Sequence, residues 1–206
     1  MEDFFDFHSR LVMTYFSVYP QIHLDWVINK KLVGGDFESF EFPIVFKHTH
    51  GIKMGDLLHT QWPSLYLISN RIEKLLAENN VTGWKTFPIK IFGKKGEEVL
   101  GYNGFSVIGR SNSKVIYDNS KIIEKRFVSN GPLCRFYKGI DMDMSKWDGS
   151  DFFMPDSITT IYATSKVYTV LSENWTTNVS MKKLSDNEYD EFVVKKLNSD
   201  LKCIII

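Results

Sequence analysis

One local pattern occurs twice in this chain, and its spacing limits the folds open to it. Tyr66, Leu67 and Ile68 lead through Ser69 and Asn70 into Ile72, Leu75, Leu76, Glu78 and Asn79. Ile161, Tyr162 and Ala163 lead through Thr164 and Ser165 into Val167, Val170, Leu171, Glu173 and Asn174. The offset from Asn70 to Ser165, 95 residues, holds at every position. Each copy reads as a short apolar strand, a polar cap and a helix with one apolar face. An extended segment follows each, at Trp84–Ile89 and at Val179–Leu184. Copies this far apart point to one domain built from two similar units, not to a stack of short repeats.

The rest of the chain reads as sheet. Phenylalanine (16) and tyrosine (9) are abundant, which favours strands. Residues 22–33 read as a strand ending at the Gly34-Gly35 turn. Phe40, Phe42, Ile44 and Phe46 alternate with other residues, so a half-buried strand is expected there, with Pro43 placing it at an edge or bulge. Val99–Ile108 is expected to bend at Gly101 and Gly104. Residues 186–197 read as a last helix. The fold class is therefore α+β, a mixed and mostly antiparallel sheet. Two equivalent strand–helix–strand units, at about 64–91 and 159–184, form two lobes of a single domain over 1–206.

Charge narrows the partners. The 25 basic and 25 acidic residues cancel, which disfavours a nucleic-acid binder. The middle is polarised, with a basic run at 110–138 and five carboxylates between Asp141 and Asp156. No run approaches the ~20 apolar residues of a membrane helix, and the start, Met-Glu-Asp-Phe-Phe-Asp, lacks a secretory pattern. A cytoplasmic protein with reduced thiols at Cys134 and Cys203 is expected, with no membrane and no nucleic-acid partner.

The chemical motifs are weak. Asp141-x-Asp143-x-Ser145 begins like a calcium loop, but Lys146 replaces the required glycine and Phe152 the closing glutamate. His48-x-His50, with His59, offers imidazoles without a fourth ligand. Cys134 lies in a strand-like run without the local pattern of a nucleophile. The terminal Cys203-Ile204-Ile205-Ile206 has the form of a prenylation box but reads as an apolar tail. No metal, cofactor or catalytic residue is expected.

Three stretches together carry a resemblance. They are Asp56-Leu57-Leu58 with Leu67–Ile72; Gly83-Trp84-Lys85 through Gly101-Tyr102-Asn103-Gly104-Phe105 to Arg110; and Trp147-Asp148-Gly149-Ser150-Asp151-Phe152-Phe153 with Ile161–Val167. Over residues 50–190 the chain resembles bacterial immunity proteins of polymorphic toxin systems. The resemblance implies a cytoplasmic, non-enzymatic protein that binds a cognate toxin domain and protects the producing cell. The acidic segment is the expected contact face, with Asp143, Trp147, Asp148, Asp151 and Phe152 as partner-binding residues. Its carboxylates would steer a basic toxin and its aromatics would anchor it. Two alternatives remain: a small-ligand or peptide module with a pocket between the lobes, and a small hydrolase using His48, His50 and Cys134.

Overall fold

Where an apolar strand runs into a hydroxyl side chain and then a helical pattern, a capped helix forms. The computed structural model describes residues 3–111, 115–116, 119–126, 129–155 and 159–190. In chain order its elements are β1 (Phe4–Ser9), β2 (Ser17–Pro20), α1 (Trp26–Val33), β3 (Ile44–His50), β4 (Leu57–His59), β5 (Tyr66–Ser69), α2 (Asn70–Glu78), β6 (Trp84–Phe87), β7 (Ile89–Phe92), β8 (Glu98–Val99), β9 (Tyr102–Val107), β10 (Val115–Ile116), β11 (Lys121–Arg126), β12 (Leu133–Lys138), β13 (Asp141–Met142), β14 (Phe152–Phe153), β15 (Tyr162–Thr164), α3 (Ser165–Glu173), β16 (Val179–Lys183) and β17 (Glu188–Asp190).

The class is α+β. The largest sheet runs β6-β9-β5-β4-β2-β3-β7-β8 and a second runs β14-β15-β1-β16. Most pairings are antiparallel; β2 with β4 and β3 with β7 are parallel.

The strand registers of the two units correspond, although Ser69 caps α2 with its side chain and Thr164 makes no such bond to α3. In the first unit β9 lies antiparallel between β5 and β6, with Leu67 opposite Gly104 and Trp84 opposite Val107. In the second β1 lies antiparallel between β15 and β16, with Tyr162 opposite Asp6 and Val179 opposite Ser9. The outer neighbours, β4 and β14, pair at corresponding residues, Leu57 with Ile68 and Phe152 with Ala163. The middle strand of the second unit thus comes from the start of the chain. Backbone detail repeats too. Asn80 and Trp175 follow the helices at φ 50 and 51, and Gly83 and Asn178 sit at φ 83 and 60.

The units interlock reciprocally. Asp56 accepts bonds from Ser69 and Arg71 of its own unit and from the amide and hydroxyl of Thr177 in the other. Asp151 accepts from Thr164 and Lys166 of its own unit and from the amide and hydroxyl of Thr82. One apolar cluster runs through both units, joining Ile72, Leu76, Phe105, Phe152, Val167, Leu171 and Val179. The two units therefore share a core and are not lobes around a junction. A smaller cluster of Met142, Phe153, Tyr162 and Leu184 covers the far side of β1 and β15.

Several local expectations change. Residues 26–33 form a helix, because Asp25 accepts the Ile28 amide at 2.7 Å and Leu32 and Val33 turn inward together. The strand expected from Phe40 begins at Ile44 and lies inside the large sheet; Pro43 precedes it and removes no ladder bond. Ser69 caps α2 by accepting the Ile72 amide at 3.2 Å. Glu73, in the first turn of α2, accepts from Asn103 at 2.7 Å and Thr86 at 3.3 Å. Glu188–Asp190 is a strand where the last helix was expected to begin. The remainder of that segment, and the Cys203–Ile206 tail, lie outside the described residues.

Candidate partner-binding surface

The acidic segment divides between surface and core. Asp143 caps the single 3-10 turn Met144–Lys146, accepting the Ser145 amide at 3.0 Å, and is exposed. Hydrogen bonds from Ser145, side chain first, hold its carboxyl below the ordinary 3.8. Asp148 is exposed but committed to its loop, accepting the amides of Arg110 and Ser150, each at 2.9 Å. Burial raises its carboxyl, yet the bonds from Ser150 and Arg110 outweigh that and leave it low.

The other three expected contact residues face inward to different degrees. Trp147 is half-buried, edge-on to Phe4 at 5.4 Å, and its Nε1 donates to the Ser150 carbonyl at 3.2 Å. Asp151 is buried in the interlock between the units. Phe152 is fully buried, 5.2 Å from both Phe7 and Phe105. Asp151 and Phe152 are therefore not partner-contact residues. Phe152 opens β14, an edge strand whose Phe152 side chain enters the shared core, and the Asp151 carboxylate is consumed by Thr82, Thr164 and Lys166. Asp143 and Asp148 stand on the surface without an exposed aromatic residue among the expected contacts.

The residues of the hydrolase alternative do not form one constellation. His48 bonds the Gly51 carbonyl at 2.7 Å and packs on Phe16. His50 contacts Thr49 at 3.2 Å, and His59 accepts the Gln61 amide at 3.3 Å. His50 and His59 line one small cavity of about 120 Å³. Burial, and then the neighbouring His50, lower the pKa of His59. Ser17 opens β2 beside both histidines, but its hydroxyl donates to the His59 carbonyl at 3.0 Å and not to a ring. Cys134 lies in the separate β11-β12-β17 sheet. Among the described residues no three His, Cys, Asp or Glu side chains gather as a metal site.

A different surface stands out. The loop between β1 and β2 carries Leu11, Val12 and Met13; the turn after β3 carries Ile52 and Met54. Leu11 is 81% exposed, Met13 72% and Ile52 91%. The two segments are tied together. Ile52 and Lys53 amides both donate to the Thr14 carbonyl at 3.0 Å, and the Phe16 amide donates to the Lys53 carbonyl at 2.9 Å. Lys53 also lies over the Tyr15 ring at 4.9 Å. The Arg10 amide donates to the Asn178 carbonyl at 3.1 Å, fixing the base of the loop to the second unit. Arg10 then borders a groove at whose rim Trp175 stands 86% exposed. Isolated exposed apolar residues are ordinary; two exposed apolar segments whose backbones are bonded to each other make a candidate contact surface. Leu11–Met13 reads in the sequence as one more apolar stretch beside those of β1 and β2, which hides its exposure. The signal available was Ile52, an aliphatic residue set directly after a turn glycine, Gly51 at φ 75.

No helix among the described residues is long and apolar enough to cross a membrane. The sequence matches no family model and no curated protein.

Proposed function

We propose that this chain is a binding protein of the immunity type, which captures a toxin domain and blocks it. The observation that carries this reading is the apolar surface made by Leu11, Val12, Met13, Ile52 and Met54, bound into one unit by the Thr14 and Lys53 carbonyls. Water-facing aliphatic side chains on a braced pair of loops gain free energy only when a partner covers them, at roughly 25 cal/mol per Å². Bracing also lowers the ordering cost of association. The resemblance over residues 50–190 supplies the class of partner, a toxin protein met in the cytoplasm. On this reading the contact face lies on residues 10–13 and 52–54, and Asp143 and Asp148 contribute at most to approach.

The test is protection. Where a secreted protein with a variable C-terminal domain is encoded beside this gene, that domain is expressed with and without the chain. Growth restored by the wild type and not by Met13→Asp/Ile52→Asp supports the reading. Equal protection by both would refute the face, and no protection by either would refute the function.

A further inference from the structure

The repeat makes the first unit a template for the second. Trp84 opens β6 and lays its indole in the slot between that strand and the end of α2. Its Nε1 donates to the Val81 carbonyl at 2.8 Å, and its ring stacks on Phe105 with centroids 6.5 Å apart. The corresponding residue, Val179, opens β16 between the same kinds of neighbour. A valine leaves most of the slot empty. The result is an open groove of about 330 Å³ lined by Arg10, Tyr168, Leu171, Trp175, Val179 and Met181.

A second, independent observation falls at its rim. Trp175 holds φ 51, where the first unit has Asn80 at φ 50. Asparagine tolerates this left-handed conformation; a bulky aromatic residue there is an outlier and is strained. The strained residue is also, after Ile52, the most exposed large hydrophobic among the described residues. Strain and exposure combined on one aromatic side chain mark a functional position.

We propose that this groove is a receptor for an aromatic side chain, indole- or phenol-sized, presented by a strand of the partner protein. The proposal rests on the binding reading above and adds the anchor to it. The lining mixes the aliphatic Leu171, Val179 and Met181 with the hydroxyls of Ser172, Thr176 and Ser180. The walls offer Trp175 and the half-exposed Tyr168 for edge or stacked ring contacts. Among the described residues β16 pairs with one strand only, β1; its Val179 carbonyl accepts Arg10 Nε at 3.2 Å, and a partner strand would add along the rest of that edge and carry the ring into place. The groove shares Arg10 with the apolar loop, so one partner can cover both.

N-acetyl-tryptophanamide is the probe. Titrated into isotope-labelled protein to millimolar concentration, it should shift the amide signals of Tyr168, Ser172, Val179 and Met181 along a saturating curve. Val179→Trp fills the slot from within, as Trp84 does, and should weaken the probe about tenfold or more. Ser172→Arg, an exposed change on α3 that covers the groove from outside, should do the same if Val179→Trp fails to fold. Absence of localised shifts in the wild type, or equal shifts in a folded variant of either kind, overturns the proposal. The two readings fail separately. A wild type that protects against toxin but ignores the probe loses only the groove. A groove that binds the probe in a chain whose Met13→Asp/Ile52→Asp form still protects loses only the apolar face.

Discussion

One carboxylate oxygen of Asp56 accepts both the amide and the hydroxyl of Thr177, each at 2.8 Å, across the boundary between the two units. Asp151 repeats the arrangement in reverse with Thr82, at 2.9 and 3.1 Å. Each aspartate also takes a cation from its own helix, Arg71 at 2.7 Å and Lys166 at 3.1 Å. A pair of equivalent contacts, each made of one residue from either unit, is the geometry of an isologous interface. Here it lies inside one chain.

The interlock should be a main determinant of stability. Asp56→Ala or Asp151→Ala strands an amide, a hydroxyl and part of a cation at once. Each should cost about 2–4 kcal/mol, since bonds to charged groups are the stronger kind and unmet donors pay desolvation. Urea titration measures this. A loss under about 1 kcal/mol in both variants would show that the units hold by apolar packing alone.

Acid should loosen the interlock at Asp151. Burial raises its carboxyl, but bonds from the Thr82 amide, Lys166, Thr164 and the Thr82 hydroxyl together hold it below the ordinary 3.8. Unfolded, the group titrates near ~3.9, so in the window below that value the unfolded chain binds more protons and stability falls with falling pH. The contribution is complete above about pH 5 and is lost as the pH passes down through the folded value. Between these limits the melting temperature of the wild type should fall more steeply than that of Asp151→Asn. Parallel curves would assign acid sensitivity to other carboxylates.

The helices should carry the shared core. Leu76 and Leu171 are both fully buried at corresponding turns of α2 and α3. Leu76→Ala or Leu171→Ala should cost about 2–5 kcal/mol. If either helix lay on a lobe with its own core, its variant would unfold in two steps; a single transition is expected.

Trp175 should be a stability defect. Replacing it with glycine relieves the left-handed strain and should raise stability by about 1 kcal/mol, read from the denaturant midpoint. Destabilisation would mean that the indole packs on the protein in solution.

The repeat was legible because helical spacing and caps are local: Ser69 and Thr164 announce α2 and α3, and Ile72, Leu76, Val167 and Leu171 point inward as their periodicity requires. The strand-insertion pattern was not, since β1 pairs with β15 and β16 across more than half the chain and nothing local encodes that choice. Residues 22–33 read as a strand because Ile22, Leu24, Trp26 and Ile28 alternate, while the Asp25 cap decides for helix. The burial of Asp151 and Phe152 was hidden for a related reason. Aspartates beside aromatics look like a binding patch, yet Asp151 and Phe152 follow the loop into the core as the counterparts of Asp56 and Leu57. Reading the repeat eight residues before the limits of its two units, to Asp56 and Asp151, would have buried both.

The most direct test is the affinity of the toxin domain for Met13→Asp/Ile52→Asp against wild type, by titration calorimetry. Asp143→Lys serves as a surface control, and melting temperatures confirm folding, since surface changes here should alter stability by no more than ~0.5 kcal/mol. The expected result is a loss of about a hundredfold in the double variant, the size of a hot-spot deletion, with the control close to wild type. Undiminished affinity in the double variant, together with a large loss in Asp143→Lys, would contradict the assignment and return the contact face to the acidic segment.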